Sequence, residues 1–202
     1  KRSDYAMFRN TIREGAFSKA PMIAEPVSLF DSAPDADGAA AVVLTASDVA
    51  GDMVPEPIHI AGSAVATDRF MLQEREHFLK LNAVAQSSSE ALAQAQLNLK
   101  DIQLLELHDA YTILTAMSFE AMGLSEQGRG WEYASNNGEQ IALNGSIPLS
   151  TFGGLKSRGN PIGATGIYQA VEATIQLRGQ AQDNQVAGAH TALIQNLGAL
   201  GT

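Results

Sequence analysis

The chain has 202 residues, 45% of them hydrophobic and 17% charged, which suffices for a globular domain with a buried core. Its formal net charge is -9 at pH 7 and no cluster of Lys and Arg interrupts this acidity, which argues against a nucleic-acid binder. The absence of cysteine excludes disulfides, thiolate metal sites and a cysteine nucleophile within these residues. No apolar run approaches the length of a membrane span and the first residues do not resemble a secretory signal, so we expect a cytoplasmic protein without a membrane partner.

The first twenty residues mix basic and apolar side chains in a pattern that predicts an amphipathic helix followed by a loop at Gly15. Such a helix cannot bury its apolar face alone, so we expect residues 1–20 to be the tail of a preceding region. Residues 21–202 then form the domain proper. The start at Lys1 rather than Met, and the end at Thr202 directly after an apolar run, lead us to expect a piece of a longer polypeptide.

Beyond residue 20, short apolar runs alternate with helical patterns. The predicted strands are residues 27–30, 39–44, 58–62, 102–107 and 186–198. An S-x-x-E capping box at residues 87–90 predicts the start of a helix that reaches Leu97, and a second helix follows His108 and stops at Gly123. Polar residues 125–147 predict an excursion of the kind found near an active-site mouth. This alternation predicts an α/β fold in which helices cover a sheet.

Residues 153–166, GGLKSRGNPIGATG, predict a glycine-rich loop that leads into a helix. Asn160 is a favoured helix N-cap and Pro161 suits the first helical position. Apolar side chains then recur at helical spacing, at Ile167, Ala170, Val171, Thr174 and Ile175. Free N–H groups at such a helix start favour an anion or a polarised oxygen. The spacing of the glycines fits neither the dinucleotide motif G-x-G-x-x-G nor the phosphate loop of NTPases.

The predicted strand at residues 102–107 ends in polar side chains that open the next helix, His108 and Asp109. Open α/β sheets bind ligands at the carboxyl ends of their strands, so these residues are candidates for a site. The alternative is structural, because Asp109 is also a good helix cap and His108 would serve equally as a hydrogen-bonded structural imidazole. From the residues alone, the two interpretations stand about even.

The loop at 153–166 resembles that of the thiolase superfamily, which usually runs G-G-x-x-x-x-G-H-P-x-G-A-T-G. It departs at Asn160, where that loop has its catalytic histidine. The His108-Asp109 pair resembles the H-D-x-[FY] motif of the sterol-carrier-protein and archaeal-like branches. Residues 37–41, DGAAA, and residues 196–198, NLG, agree with the same family in the right order, although Gln195 stands in place of a histidine and Leu200 in place of a glycine.

The resemblance implies that this chain is the C-terminal half of a thiolase-like protein, in which two similar α/β halves pack as an αβαβα sandwich. The half that carries the nucleophilic cysteine would be missing, and the second catalytic cysteine that thiolases have near Asn196 is absent here. The implied substrate is an acyl-CoA, a coenzyme A thioester, with no covalently bound cofactor and no metal. The implied full-length protein is a homodimer.

The resemblance also implies roles for individual residues. His108 matches the group that stabilises the enolate or moves its proton, and Gly198 matches a backbone donor for the tetrahedral oxyanion. Gly163 and Asn196 match positions that border the substrate. Asn160 departs from the family, since an amide donates a hydrogen bond but does not act as a base at pH 7. It is then only a helix cap, or a donor for another C–C bond chemistry, or the site of a slow residual activity.

Two further functions stay open at this stage. Thiolase-like aldolases cleave acyl-CoA substrates by a retro-aldol reaction with tyrosine, and some work with a small OB-fold partner; Tyr111, close to His108 in the sequence, is the corresponding alternative catalytic residue. A half-buried aromatic side chain on the first turn of a helix explains Tyr111 equally simply. The other possibility is a non-catalytic domain of the same fold that binds a partner.

Overall fold

The computed structural model describes residues 3–13, 15–198 and 201. Four short strands lie in this part of the chain, β1 (Met22–Ala24), β2 (Val27–Ser28), β3 (Leu104–Leu107) and β4 (Ala192–Gln195). The α-helices are α1 (Ser47–Met53), α2 (Asn82–Ala95), α3 (Thr112–Met122), α4 (Ser135–Gly138), α5 (Gly154–Arg158) and α6 (Thr165–Leu177). Short 3-10 turns connect several of them, including Phe17–Lys19, Gly130–Ala134 and Ile162–Ala164.

The centre of the domain is a parallel pair of strands, β3 and β4. Their register runs from Leu104 opposite Ala192 to Leu107 opposite Gln195. The segment before α5 extends this pair, because the Leu105 N–H donates to the Pro148 carbonyl at 2.9 Å and the Ser150 N–H donates to the Leu105 carbonyl at 2.8 Å. All four side chains of β3 are buried, as expected for a strand that helices cover on both faces.

Helices lie on the two faces of this pair. Leu105 and Leu107 pack with Val84 of α2 and Phe119 of α3 in the main apolar cluster. Leu104 points to the opposite face, because side chains alternate along a strand, and packs in a second cluster beside α6. The prediction of an α/β fold with helices against a sheet is confirmed.

The helix predicted after His108 is present as α3. It ends where expected, with Gly123 in a left-handed conformation at φ 84° and its N–H donating to the Phe119 and Glu120 carbonyls. The predicted strand at 102–107 is present as the shorter β3, and the run at 186–198 contains β4. The predicted strand at 27–30 is β2 followed by a 3-10 turn.

Two predicted strands, 39–44 and 58–62, are wrong. Neither segment forms a ladder with any strand in the described part of the chain. They are also largely exposed, with Val43 at 83% and Ile60 at 68% of full accessibility. A strand needs a neighbour to pair with, and the apolar composition of these runs does not supply one.

One predicted helix is absent, and another begins earlier than predicted. Residues 3–13 contain no helix, and the segment instead lies along the glycine-rich loop, where the Phe8 N–H donates to the Ser157 carbonyl at 3.0 Å. Helix α2 begins at Asn82, before the expected capping box. Ser87 and Ser88 lie inside it and donate to carbonyls one turn earlier, each at 2.7 Å, so their hydroxyl groups do not cap a helix.

We predict that Leu107→Ala lowers the free energy of unfolding by about 2–5 kcal/mol, because it removes a fully buried side chain from the apolar cluster and leaves a cavity. The matched control is Leu44→Ala, the same substitution at a side chain that is 73% exposed, which we expect to change stability by less than about 0.5 kcal/mol. Urea denaturation measures both. Similar losses for the two variants would contradict the position of the core.

Candidate functional site

The carboxyl ends of β3 and β4 bring His108 and Asn196 together. His108 follows β3, Asn196 follows β4, and the His108 Nδ1 and Asn196 Oδ1 atoms are 2.8 Å apart. An amide oxygen only accepts hydrogen bonds, so the imidazole donates through Nδ1–H. In the neutral ring the lone pair then lies on Nε2. This arrangement leaves Nε2 as the atom that takes up or delivers a proton.

The glycine-rich loop is attached to the end of β3 through Asp109. Its Oδ1 atom accepts the Leu155 N–H at 2.7 Å, at the start of α5. Gly154 makes this approach possible: its φ is +58°, and a Cβ there would lie only 2.4 Å from the Asp109 Oδ2 atom. Asp109 therefore binds the start of α5, whereas α3 has no side-chain cap, and the idea that Asp109 caps the following helix is corrected.

Asn160 is held on both sides by its backbone. Its N–H donates to the Pro34 carbonyl at 2.8 Å, and its carbonyl accepts the Ala36 N–H at 3.2 Å. The Asn160 Oδ1 atom accepts the Ile162 N–H at 3.2 Å and faces the Thr165 hydroxyl at 3.4 Å. With Oδ1 engaged in this way, the amide Nδ2 is the part of the side chain that remains suited to donate to a ligand.

The predicted N-cap position of Asn160 is wrong for the long helix. Helix α6 begins at Thr165 with Ala164 as its N-cap, and the 3-10 turn Ile162–Ala164 comes first. Ile162 has a left-handed φ of 48°, which a continuous helix from Pro161 does not permit. The Asn160 side chain instead accepts the Ile162 N–H at the start of the short turn, whose N-cap residue is Pro161.

A close contact connects this loop to the histidine. Gly166, in the first turn of α6, packs against Asn196, so that a Cβ on the glycine would lie 3.5 Å from the Asn196 Nδ2 atom. Asn196 in turn bonds His108, and Thr165 faces Asn160. These contacts bring the carboxyl ends of the strands and the loop into one neighbourhood.

The other candidate residues lie at the surface. Gly163 is exposed and a Cβ there would meet no atom within 4 Å. Gly198 is exposed and its carbonyl accepts the Gly201 N–H at 3.2 Å. Tyr111 is the N-cap of α3 and is 47% exposed. Leu200 lies outside the described residues.

Three buried charged side chains were not identified from the sequence, Glu106, Arg158 and Glu172. The Arg158 Nη1 and Glu172 Oε1 atoms are 2.5 Å apart, and Glu106 of β3 is 1% exposed. Burial raises the pKa of Glu106 well above its ordinary value, and the nearby carboxylates of Glu172 and Asp109 raise it further against the effect of Arg158. Burial likewise raises the pKa of Glu172 and of Asp109. The sequence does contain one sign of this cluster, because Glu106 interrupts the otherwise apolar run of β3.

Helix α6 buries its polar face. The side chains turned toward the sheet are Thr165, Gln169, Glu172, Ala173 and Gln176. The apolar series expected to mark the helix is only partly covered, and Ile167 is 38% exposed. The buried Gln176 amide has partners, since its Nε2 donates to the Thr151 hydroxyl and to the Asn184 carbonyl. The helix was predicted correctly, but its buried face does not follow the apolar pattern.

Two surface depressions lie away from this neighbourhood. One is lined mainly by residues around Arg129 and Tyr133, the other by residues around Leu79 and Met117. Neither includes His108 or Asn160. Within the described ranges, no group of His, Asp and Glu is arranged to hold a metal ion, and no helix is long and apolar enough to cross a membrane.

Comparison with known proteins assigns the family. The family described as thiolase C-terminal domain-like matches residues 64–202, and this chain belongs to it. An acetyl-CoA acetyltransferase of Methanothermobacter thermautotrophicus is 38% identical over 180 residues, which are 89% of this chain and 46% of that protein. Sterol carrier protein 2 of Gallus gallus is 27% identical over 199 residues, 96% of this chain and 36% of that protein.

A solved structure described as an Ltp2-ChsH2(DUF35) aldolase has the same fold. It matches with a TM-score of 0.78 at 18% identity and covers 96% of this chain and 50% of its own. The present chain therefore spans about half or less of the length of these proteins. The prediction of a thiolase-like fold is confirmed.

We predict that Gly154→Ala destabilises the protein by roughly 1–3 kcal/mol, because the new methyl group would meet the Asp109 carboxylate at a backbone conformation that alanine disfavours. Gly163→Ala is the matched control in the same loop, where the space is open and φ is not left-handed, and we expect it to be neutral or slightly stabilising. Thermal denaturation of the two variants tests this. Equal behaviour of the two would contradict the Asp109 attachment.

We also predict that the free energy of unfolding falls as the pH rises above about 4.5. Glu106, Glu172 and Asp109 have raised pKa values in the folded protein. Between the ordinary carboxyl pKa and these raised values, the unfolded chain therefore binds fewer protons than the folded protein, and a rise in pH favours unfolding. The contribution of these three carboxyl groups to stability is therefore fully present below the ordinary carboxyl pKa. It is lost as the pH rises toward their pKa values in the folded protein. Urea denaturation over roughly pH 5–8 measures the slope, which Glu106→Gln should reduce. Stability that rises across this window would contradict the burial of these carboxyls.

Proposed function

We propose that this chain is the C-terminal half of a thiolase-type acyl-CoA C-acyltransferase. The observation that carries the proposal is the His108–Asn196 hydrogen bond at the carboxyl ends of β3 and β4, beside the glycine-rich loop. Membership in the thiolase C-terminal family supports it, as does the likeness to a protein named acetyl-CoA acetyltransferase. The acyl-accepting cysteine would come from a second half, since this chain contains none.

The chemistry requires two kinds of group. An acyl-CoA that forms an enolate needs a base to remove the α-proton, and both the enolate and the tetrahedral intermediate need donors for a negatively charged oxygen. His108 Nε2 is suited to the proton transfer because Nδ1 is engaged by Asn196. The Asn160 amide and the Gly198 N–H are our candidates for the oxyanion donors, and Gly163 and Asn196 for contacts with the coenzyme A thioester.

Asn160 limits this proposal to a reaction in which residue 160 donates a hydrogen bond and does not act as a base. An amide stabilises an oxyanion but does not accept the proton of a thiol. A thiolate near pH 7 then needs another base or a cation beside it. We therefore expect slow thiolysis from the full-length protein, with Asn160 as a donor and not as a base.

A second candidate is an acyl-CoA retro-aldolase that works with a small OB-fold partner. The observation that favours it is Tyr111, a phenol that follows closely after His108 and is 47% exposed. In that reaction a phenol and an imidazole are the proton-transferring groups, and no cysteine is needed. The aldolase name belongs to the structural neighbour, whose low identity supports only the common fold.

A non-catalytic partner-binding domain is the third possibility. The homodimer and a cytoplasmic location also stay predictions.

The substitution Asn160→His in the full-length protein separates these possibilities. In an acyltransferase, it restores a group with a pKa of about 6.5 that can take a thiol proton, and general-base catalysis is worth on the order of 10²–10⁴-fold. Thiolysis of acetoacetyl-CoA should therefore rise. In an aldolase, thiolysis should stay at background and aldol cleavage should fall, because the donor geometry changes.

Tyr111→Phe is the companion variant, since it removes only the phenolic oxygen. We expect it to leave thiolysis within a few-fold of wild type and to abolish aldol cleavage if that is the reaction. The isolated 202-residue chain, which lacks a cysteine, is the negative control for thiolysis. Unchanged kinetics of both variants on both reactions would contradict the catalytic proposals and favour the non-catalytic domain.

A further inference from the structure

Three elements converge on one buried cluster of charges, formed by Glu106 of β3, Arg158 of α5 and Glu172 of α6. The three residues are 1%, 6% and 5% exposed. Arg158 pairs with Glu172 at 2.5 Å, and its guanidinium carbon lies 4.9 Å from the centre of the Tyr168 ring. The cluster is therefore shielded from water.

The charges in this cluster do not balance if every carboxyl is ionised. Arg158 is one cation, whereas Glu106 and Glu172 are two carboxyls and Asp109 lies nearby as a third. No donor in the described part of the chain makes a well-formed hydrogen bond to either carboxyl oxygen of Glu106, although the Ser150 hydroxyl lies beside it. Two adjacent carboxylates in an apolar interior do not both ionise, because burial and mutual repulsion favour the protonated form of one.

A proton on the Glu106–Glu172 pair resolves both problems. A protonated carboxyl becomes an O–H donor, and the neighbouring carboxylate is an acceptor. Glu172 then keeps its ion pair with Arg158 while it shares a hydrogen bond with Glu106. The cluster becomes neutral and both glutamates gain a partner.

The three side chains stand directly beside the candidate site. Glu106 lies in β3 and precedes His108, which directly follows the strand, by two residues. Arg158 precedes Asn160 by two residues in the glycine-rich loop, and Glu172 lies two turns along α6 from Thr165, which faces Asn160. The cluster thus joins the strand that carries His108 to the loop that carries Asn160.

We propose that Glu106 and Glu172 share one proton, and that with Arg158 they are positioning residues that hold His108 against the Asn160 loop. Only the catalytic use of His108 and Asn160 in this inference rests on the proposed function. The shared proton belongs to the chain itself. Loss of this proton at higher pH leaves two carboxylates facing one guanidinium, with Asp109 alongside, and loosens the contact between β3 and the loop.

Infrared spectroscopy of the purified chain tests the shared proton without any enzyme assay. Wild type should show the carbonyl band of a protonated carboxylic acid at neutral pH, and the band should disappear in Glu106→Gln. Glu139→Gln is the matched control at an exposed glutamate and should keep the band. Absence of the band from wild type at neutral pH, or its persistence in Glu106→Gln, would overturn the proposal.

Nitrogen NMR of the His108 ring tests the positioning role. In wild type, the His108 signals should show a second inflection at the pH at which the carboxylic acid band is lost. That inflection should be absent from Glu106→Gln and present in Glu139→Gln. If the His108 signals do not change when the carboxylic acid band is lost, the positioning role is refuted. Both titrations are made on the wild-type protein, so this test holds even if Glu106→Gln does not fold. Neither readout depends on catalysis, so failure of the acyltransferase proposal is recognised separately, by the absence of thiolysis.

Discussion

The parallel pairing of β3 with β4 is the constraint on which the rest of this structure depends. Parallel strands end at the same edge of a sheet, so the pairing of Leu107 with Gln195 delivers the residues after them to one place. There His108 and Asn196 meet, although they are far apart in the sequence. The helices on both faces protect this pairing from water, and the loop at 153–166 closes over the same edge through Asp109 and Gly166.

The candidate site and the protein interior are therefore built on the same elements. Asp109 attaches the loop to β3, and Glu106, Arg158 and Glu172 join the same elements one layer deeper. Burying these charges costs stability, as their raised carboxyl pKa values indicate, and apolar side chains would hold the layers together more cheaply. Their position near His108 and Asn160 in the fold agrees with the general tendency of strongly shifted pKa values to cluster at functional sites.

Local sequence predicted the elements whose determinants are local. The apolar run of β3, the glycine that ends α3 and the glycine-rich loop each contain their own signal. The segments at 39–44 and 58–62 were mispredicted because a strand also requires a neighbour, which no apolar run encodes by itself. The position of His108 at the end of a strand was predictable. Its bond to Asn196 and the cluster around Glu106 were not, because their partners come from distant parts of the chain.

The hydrogen bond from His108 to Asn196 fixes the tautomer of the neutral ring, with the proton on Nδ1 and the lone pair on Nε2. Two-dimensional nitrogen–proton NMR of the neutral imidazole tests it directly, because the two ring nitrogens have distinct signals in each tautomer. We predict a proton on Nδ1 in wild type and a mixture of tautomers in Asn196→Ala. A wild-type ring that carries its proton on Nε2, or an Asn196→Ala variant with the wild-type spectrum, would contradict it.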